Sequence, residues 1–270
     1  MALFPQIATG AVTQMPVRNG SRYITRRNVM ADETVYRFRD LAAPLARFGV
    51  NLAGVADADI NALISFFNSQ KGAYNRFVFL DPLRNLVKWS EDFSQALWSK
   101  FAPGSFTFTG GQADPLGGTA ATLVTNSSGS TNSVWQDIAA GPESQYFTGS
   151  IWLKQSTPGV SVTLRAEDGL GQFADTVATP GNSWQRFWVT RQFSASAAAT
   201  TRLTFIFAAA ASVYAFGAQL AYLPGPGGYS KNKGTAGVYP VCRFEDDALG
   251  HRIEAFGVNG AQLRIVEIAG

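Results

Sequence analysis

Apolar and polar residues alternate over most of this chain, and the period changes once near its start. "SRYITRRNVMADETVYRFRDL" (21–41) alternates as two strands about an Ala31-Asp32-Glu33 turn, and "ARFGVNLAGV" (46–55) continues as a third strand. In "DADINALISFFNSQKG" (57–72) the apolar residues Ile60, Leu63, Ile64 and Phe67 recur at helical spacing, so they share one face of a helix. Asp57 or Asp59 is placed to cap its start, and Gly72 to end it in the left-handed conformation. "NRFVFLDP" (75–82) returns to a strand. Nine further segments, from "SFTFTGG" (105–111) to "SVYAFGAQLAYL" (212–223), alternate between Gly, Ser, Asn or Pro turns, the spacing of a jelly-roll-like β-sandwich. The ending alternates again: Val241, Arg243 and Glu245 oppose Cys242, Phe244 and Asp246, and Ile253, Ala255, Leu263, Ile265 and Ile268 read as more strands.

Composition divides the chain into three pieces of two textures. All six Trp (89, 98, 135, 152, 184 and 188) lie between Lys88 and Lys231. The last piece is only about 40 residues, too short to fold alone, and the first leaves strand edges and apolar faces uncovered. The economical reading is one discontinuous domain, 1–87 plus 232–270, opened at a turn to receive an inserted domain, 88–231. The fold class expected is therefore mainly β, a small sheet domain with one packed α-helix interrupted by a β-sandwich. Tyr36, Phe38 and Tyr239 fit core positions of the outer domain in preference to exposed contacts between copies, and Trp89 and Trp98 seal the sandwich. Trp152, Trp184 and Trp188 alternate on strands as core or half-buried residues. "GPGGY" (225–229) has neither the Lys-Ser/Thr nor the helix start of a phosphate loop and reads as a linker.

Charge locates the net +3. Residues 88–231 hold eight basic and eight acidic side chains, so the outer pieces, with 14 and 11, carry all of it. The basic tract "VRNGSRYITRR" reads as a solvated strand pair, with no motif for sequence-specific nucleic-acid recognition beside it. One Cys and one His exclude a disulfide framework and leave no zinc set, and His251 sits in a polar turn. No cofactor is implied. The first residues lack the charged and apolar regions of a secretory signal, and no apolar run reaches the ~20 residues of a spanning helix, so membrane insertion is not expected.

Candidate chemistry is confined to aromatic and polar groups. An aromatic face stacks on a sugar ring while amides, carboxylates and guanidinium groups bond its hydroxyls. Trp135 followed by Gln136 and Asp137 is one such set, and Arg165, Glu167 and Asp168 in "LRAEDGLGQF" are a second. The acidic run Glu245, Asp246 and Asp247 reads as a solvated turn or as an interface partner for Arg26 and Arg27 of a neighbouring copy, in preference to a calcium site.

Two resemblances follow from quoted motifs. The middle piece opens "NLVKWSEDFSQALWSK", contains Trp184-Gln185-Arg186 and closes "VYAFGAQLAYLPGPGGYSK". It resembles the carbohydrate-binding-module-like β-sandwich that recurs in proteins of tailed bacteriophages. "YRFRDL", "DADINALISFFNSQKGAYNRFVFLDP" and "VCRFEDDAL…RIEAFGV…LRIVEI" resemble phage minor tail proteins of the distal-tail or belt type. That resemblance implies a β-sandwich with a helix, assembled as a ring of six between tail tube and tail tip. Nothing here resembles the separate C-terminal galectin-like domain of larger members.

Together these imply a non-enzymatic component of a phage or prophage tail, located in the virion. Its expected partners are its own copies, the tail tube protein, tail tip or hub proteins, and host-surface polysaccharide. A receptor-binding subunit mounted on the belt is the alternative. A carbohydrate-active enzyme fits less well, because no acid/base pair emerges and the belt is small.

Overall fold

The computed structural model describes residues 1–39, 44–234 and 237–268. It is mainly β, with eighteen strands and one α-helix among those residues. Strands β1 (Arg18–Arg22), β2 (Thr25–Val29), β3 (Val35–Arg39) and β4 (Leu45–Val55) precede helix α1 (Asp57–Ser69) and β5 (Phe77–Leu80). Then come β6 (Ser99–Lys100), β7 (Phe106–Gln112), β8 (Ala121–Asn126), β9 (Asn132–Ile138), β10 (Tyr146–Gln155) and β11 (Val162–Glu167). β12 (Phe173–Ala178), β13 (Gln185–Gln192), β14 (Thr201–Phe207) and β15 (Ser212–Ala221) follow, and β16 (Val238–Phe244), β17 (His251–Ala255) and β18 (Val258–Glu267) end the order.

The chain divides into two compact units. Met1–Ala8, Val12–Phe79 and Tyr239–Gly270 make the first, and Thr9–Ala11 with Leu80–Val238 make the second. Residues 80–87 and, among the described residues, 232–234, 237 and 238, read from the sequence as outer-domain chain, fall in the second unit.

In the first unit the strands order as β1-β4-β18-β16-β5, with β17 paired to β18. Alternation on β4 turns Phe48, Val50 and Leu52 inward. Helix α1 closes the core: Ile60 and Leu63 are buried, and Phe66 and Phe67 meet Phe77 and Phe244 at ring-centroid distances of 5.4 and 4.9 Å. Gly72 adopts φ +61° after the helix, as its position requires. Neither expected aspartate caps it. The N-cap is Ala56 with no side-chain cap, because Asp57 accepts from Asn259 Nδ2 and Asp59 from the Ala8 N–H. Both carboxylates still lie in the first turn, where the helix dipole favours them.

β2 and β3 form a separate two-stranded hairpin whose ten residues are all exposed. Tyr36 and Phe38 are 52% and 56% exposed, which corrects the core assignment of both. No second layer covers the hairpin among the described residues, so neither face can bury its alternating side chains. The expected end of this strand at Asp40 and Leu41 lies outside the described residues.

The second unit is two antiparallel five-stranded sheets, β13-β10-β15-β8-β7 and β12-β11-β14-β9-β6. Their inner faces meet directly. A Cβ at Gly149 on β10 would lie 2.3 Å from Leu203 Cδ1 on β14, and Phe106 packs on Phe207 at 5.7 Å. Trp98 is buried against Phe93 and Phe205, with its indole N–H donating to the Trp89 carbonyl. Trp188 is 51% exposed, which puts it outside the core and leaves the half-buried alternative. The Gly-rich stretch 225–229 is no loose linker. Gln219 Nε2 donates to the carbonyls of Pro226 and Gly228, and Tyr229 packs on Trp152 at 5.2 Å.

The two ends of this unit are joined by buried polar groups. Asn232 Nδ2 donates to the Asn85 carbonyl, Ser90 N–H donates to the Asn232 carbonyl, and Asp81 N–H donates to the Gly237 carbonyl. Asn85 Oδ1 accepts from the N–H groups of Val87 and Leu220, while its Nδ2 donates to the Ala218 carbonyl. Asn85 is fully enclosed, so each bond replaces one to water and none is dispensable.

Candidate functional site

The outer face of the β12-β11-β14-β9-β6 sheet carries the chemistry. Period-two alternation sends Val134, Gln136, Leu203, Phe205, Leu164 and Ala166 inward, and turns their neighbours out. Register then aligns the outward residues in rows across the strands. Arg165 faces Asp175 on one side and Thr204 on the other; Thr204 faces Trp135, and Trp135 faces Ser99. In the next row Glu167 lies between Phe173 and Arg202, and Arg202 faces Asp137. Trp135, Arg165, Glu167, Arg202 and Thr204 line an open groove of about 300 Å³, with Phe101, 63% exposed, also on its wall.

Ion pairs and ring contacts hold these side chains in place. Arg165 docks on Asp175 through Nε and a terminal nitrogen, both at 2.8 Å, and Arg202 docks on Asp137 at 2.7 and 3.2 Å. The Arg165 guanidinium also lies 4.2 Å from the Phe173 ring centroid, and that of Arg202 lies 5.2 Å from the Trp135 ring. Hydrogen bonding to its carboxylate holds each arginine above the ordinary guanidinium value, against partial burial. The Thr204 hydroxyl donates to Glu167 Oε1 at 2.6 Å. The result is a preorganised floor with an aromatic ring, two fixed guanidinium groups and acceptor oxygens, the group types that bond a polyhydroxylated ring.

Of the six sugar-site candidates, Trp135, Arg165 and Glu167 come together here, with Asp137 beside them on Arg202. The other two do not. Gln136 is buried on the opposite side of β9, and its amide is committed to the Lys88 backbone, accepting from its N–H and donating to its carbonyl. Asp168 is buried as a turn anchor, accepting from the N–H groups of Leu170 and Gln172 and from the Ser196 hydroxyl. Burial pushes its pKa up, but those three donors together outweigh it and hold the carboxyl below the usual range. Arg202, Thr204 and Phe101 are among the groove residues that sequence reasoning missed. The alternation in "TRLTFIF" carries the signal for Arg202 and Thr204, since both fall on the outward side of a strand.

The interface candidates lie in the first unit. Arg26 and Arg27 are exposed neighbours on β2, so they face opposite sides of the hairpin. Glu245 is bound by Arg47, whose Nε lies 2.9 Å from Oε2. Asp247 Oδ1 accepts from the Ala73 N–H at 2.9 Å. Both carboxylates thus have a partner inside the unit. Asp246 faces a polar hollow of about 410 Å³ with Arg18 and Arg264. Among the described residues no three His, Cys, Asp or Glu side chains are grouped to hold a metal ion.

No protein-family model matches the chain, and no curated protein matches it. Several solved structures are similar to about half of it. One is the enzymatically active domain of bacteriophage CBA120 tailspike protein 4, with 15% identity over 53% of this chain and a TM-score of 0.42. The match spans only 22% of that domain's length. A second is TmCBM61 in complex with β-1,4-galactotriose, with 13% identity, 51% of this chain, 97% of that one and a TM-score of 0.39. A third is the C-terminal family 22 carbohydrate-binding module of a Clostridium thermocellum protein, with 14% identity, 54% of this chain, 98% of that one and a TM-score of 0.40. At these values no ligand and no residue role transfers from them to this chain.

Proposed function

We propose that the protein is a component of a bacteriophage or prophage tail whose second unit, inserted in the first, binds host-surface glycans across the Trp135 groove. The observation that carries the glycan reading is the row of Trp135, Thr204 and Arg165, which three adjacent strands align along an open groove, with Thr204 buried between its neighbours. A pyranose stacked on the exposed part of the Trp135 ring would bring its hydroxyls to the Thr204 hydroxyl, Glu167 and the arginine N–H groups. Recognition of this kind needs no bond making or breaking, and the proposed role is adhesion and assembly without catalysis.

The tail reading rests on the sequence motifs of the outer pieces. In it the first unit builds a homo-oligomeric ring of six in the virion, between tail tube and tail tip proteins. The exposed β2–β3 hairpin, with Arg26 and Arg27, is a surface such a ring can cover. Ring closure would leave no free strand edge.

Trp135→Ala tests the glycan reading. Retention on a glycan array should fall by at least about tenfold, the usual cost of removing a stacking aromatic from a small site, with the melting temperature unchanged. Undiminished retention would place binding elsewhere. A cryo-EM map of the parent virion with no density for this chain at the distal tail would remove the tail reading.

A further inference from the structure

The charge arrangement in the groove sets the class of glycan. Each guanidinium is already matched by a carboxylate on the adjacent strand: Arg165 by Asp175 and Arg202 by Asp137, each through two N–H···O bonds. Glu167 is a third carboxylate on the same face, with no arginine of its own among these two pairs. The face therefore carries three carboxylates against two guanidinium groups, one net negative charge in a chain of net +3.

We propose that the groove takes uncharged glycans and rejects those bearing uronate or sialate groups. This rests on the glycan reading of the same site. A bidentate pair occupies the two N–H groups facing its carboxylate and leaves the rest of the guanidinium to donate to sugar hydroxyls. It offers no surplus positive charge. A sugar carboxylate entering beside Trp135 meets Glu167, and the guanidinium N–H groups it reaches carry a charge already balanced by Asp175 or Asp137. A hydroxyl meets no such opposition and can accept from arginine or donate to Glu167. The two aromatic contacts, Phe173 with Arg165 and Trp135 with Arg202, further fix both guanidinium planes against reorientation.

The test uses the full chain on an array of neutral and uronate- or sialate-bearing glycans, at 50 and 300 mM NaCl. Binding should be confined to neutral glycans and change by less than about twofold over that range, because no net charge is neutralised. Preference for acidic glycans, or affinity that falls steeply with salt, would overturn this inference and leave the glycan reading standing. A blank across both classes would overturn the glycan reading itself. Glu167→Gln removes the surplus charge while keeping an acceptor for Thr204. It should raise retention on polygalacturonate in affinity gels by about fivefold, the upper range for one exposed charge interaction, with the melting temperature as the check on folding. No gain would show that charge balance is not what selects.

Discussion

Gly149 is a residue at which the two sheets of the second unit meet with no room for a side chain. Its missing side chain admits Leu203 from the opposite sheet, and a Cβ would stand 2.3 Å from that leucine's Cδ1. Gly149→Ala should destabilise the unit by about 1–3 kcal/mol, the range for overpacking a filled core, read as a lower urea midpoint at constant slope. An unchanged midpoint would mean that the sheets part without cost. The same scale shows what was readable at the groove. Trp135 and Gln136 are adjacent on a strand, and period two alone separates them onto opposite faces. Pairing them in one sugar site set chemistry above geometry. Asp168 misled for another reason: an Asp before Gly in a turn bonds its own following N–H groups, and here it does so while buried. The row that joins Arg165, Thr204 and Trp135 depends on pairing between strands up to about 70 residues apart. Local pattern specifies alternation on each strand but not that register.

At the scale of elements, α1 and the strands announced themselves through their periods, because burial on one side leaves a repeating mark. The hairpin of β2 and β3 alternates as well, yet nothing is buried under it. Alternation records which residues share a face; it does not say whether the face is covered. That is why Tyr36 and Phe38 read as core and stand in solvent. A two-stranded hairpin without a second layer is marginal and opens readily. Limited trypsin should therefore cut first after Arg26, Arg27, Arg37 or Arg39, as mass spectrometry of the earliest fragments would show. First cuts elsewhere, with the hairpin intact, would mean that another surface shields it.

At the scale of the molecule, the two units carry separate natural reporters. All six Trp fall within Leu80–Val238, and the lone Cys242 lies in the first unit. Burial, with Glu267 nearby, pushes the Cys242 thiol up to about 12, so at pH 8 the folded unit presents no thiolate. Tryptophan fluorescence should follow unfolding of the second unit, and labelling of Cys242 that of the first. Along a urea series the two signals are expected to give separate midpoints. Coincident midpoints at every pH would show one cooperative structure. The two textures of the chain were legible because tryptophan content changes at both boundaries. The boundaries themselves read several residues too far inward, since "LDPLRNLV" continues the apolar texture of β5 while its backbone already bonds to the second unit.

The bonds among Asn85, Ser90 and Asn232 tie the incoming and outgoing chain of that unit side by side. Such a stem makes the unit a cartridge. It asks of any recipient only a loop whose two ends lie as close together as the stem's own, and it brings its groove with it unchanged. A tail protein built this way could exchange the surface it recognises by recombination at a single turn, while the residues that shape its other unit are inherited untouched.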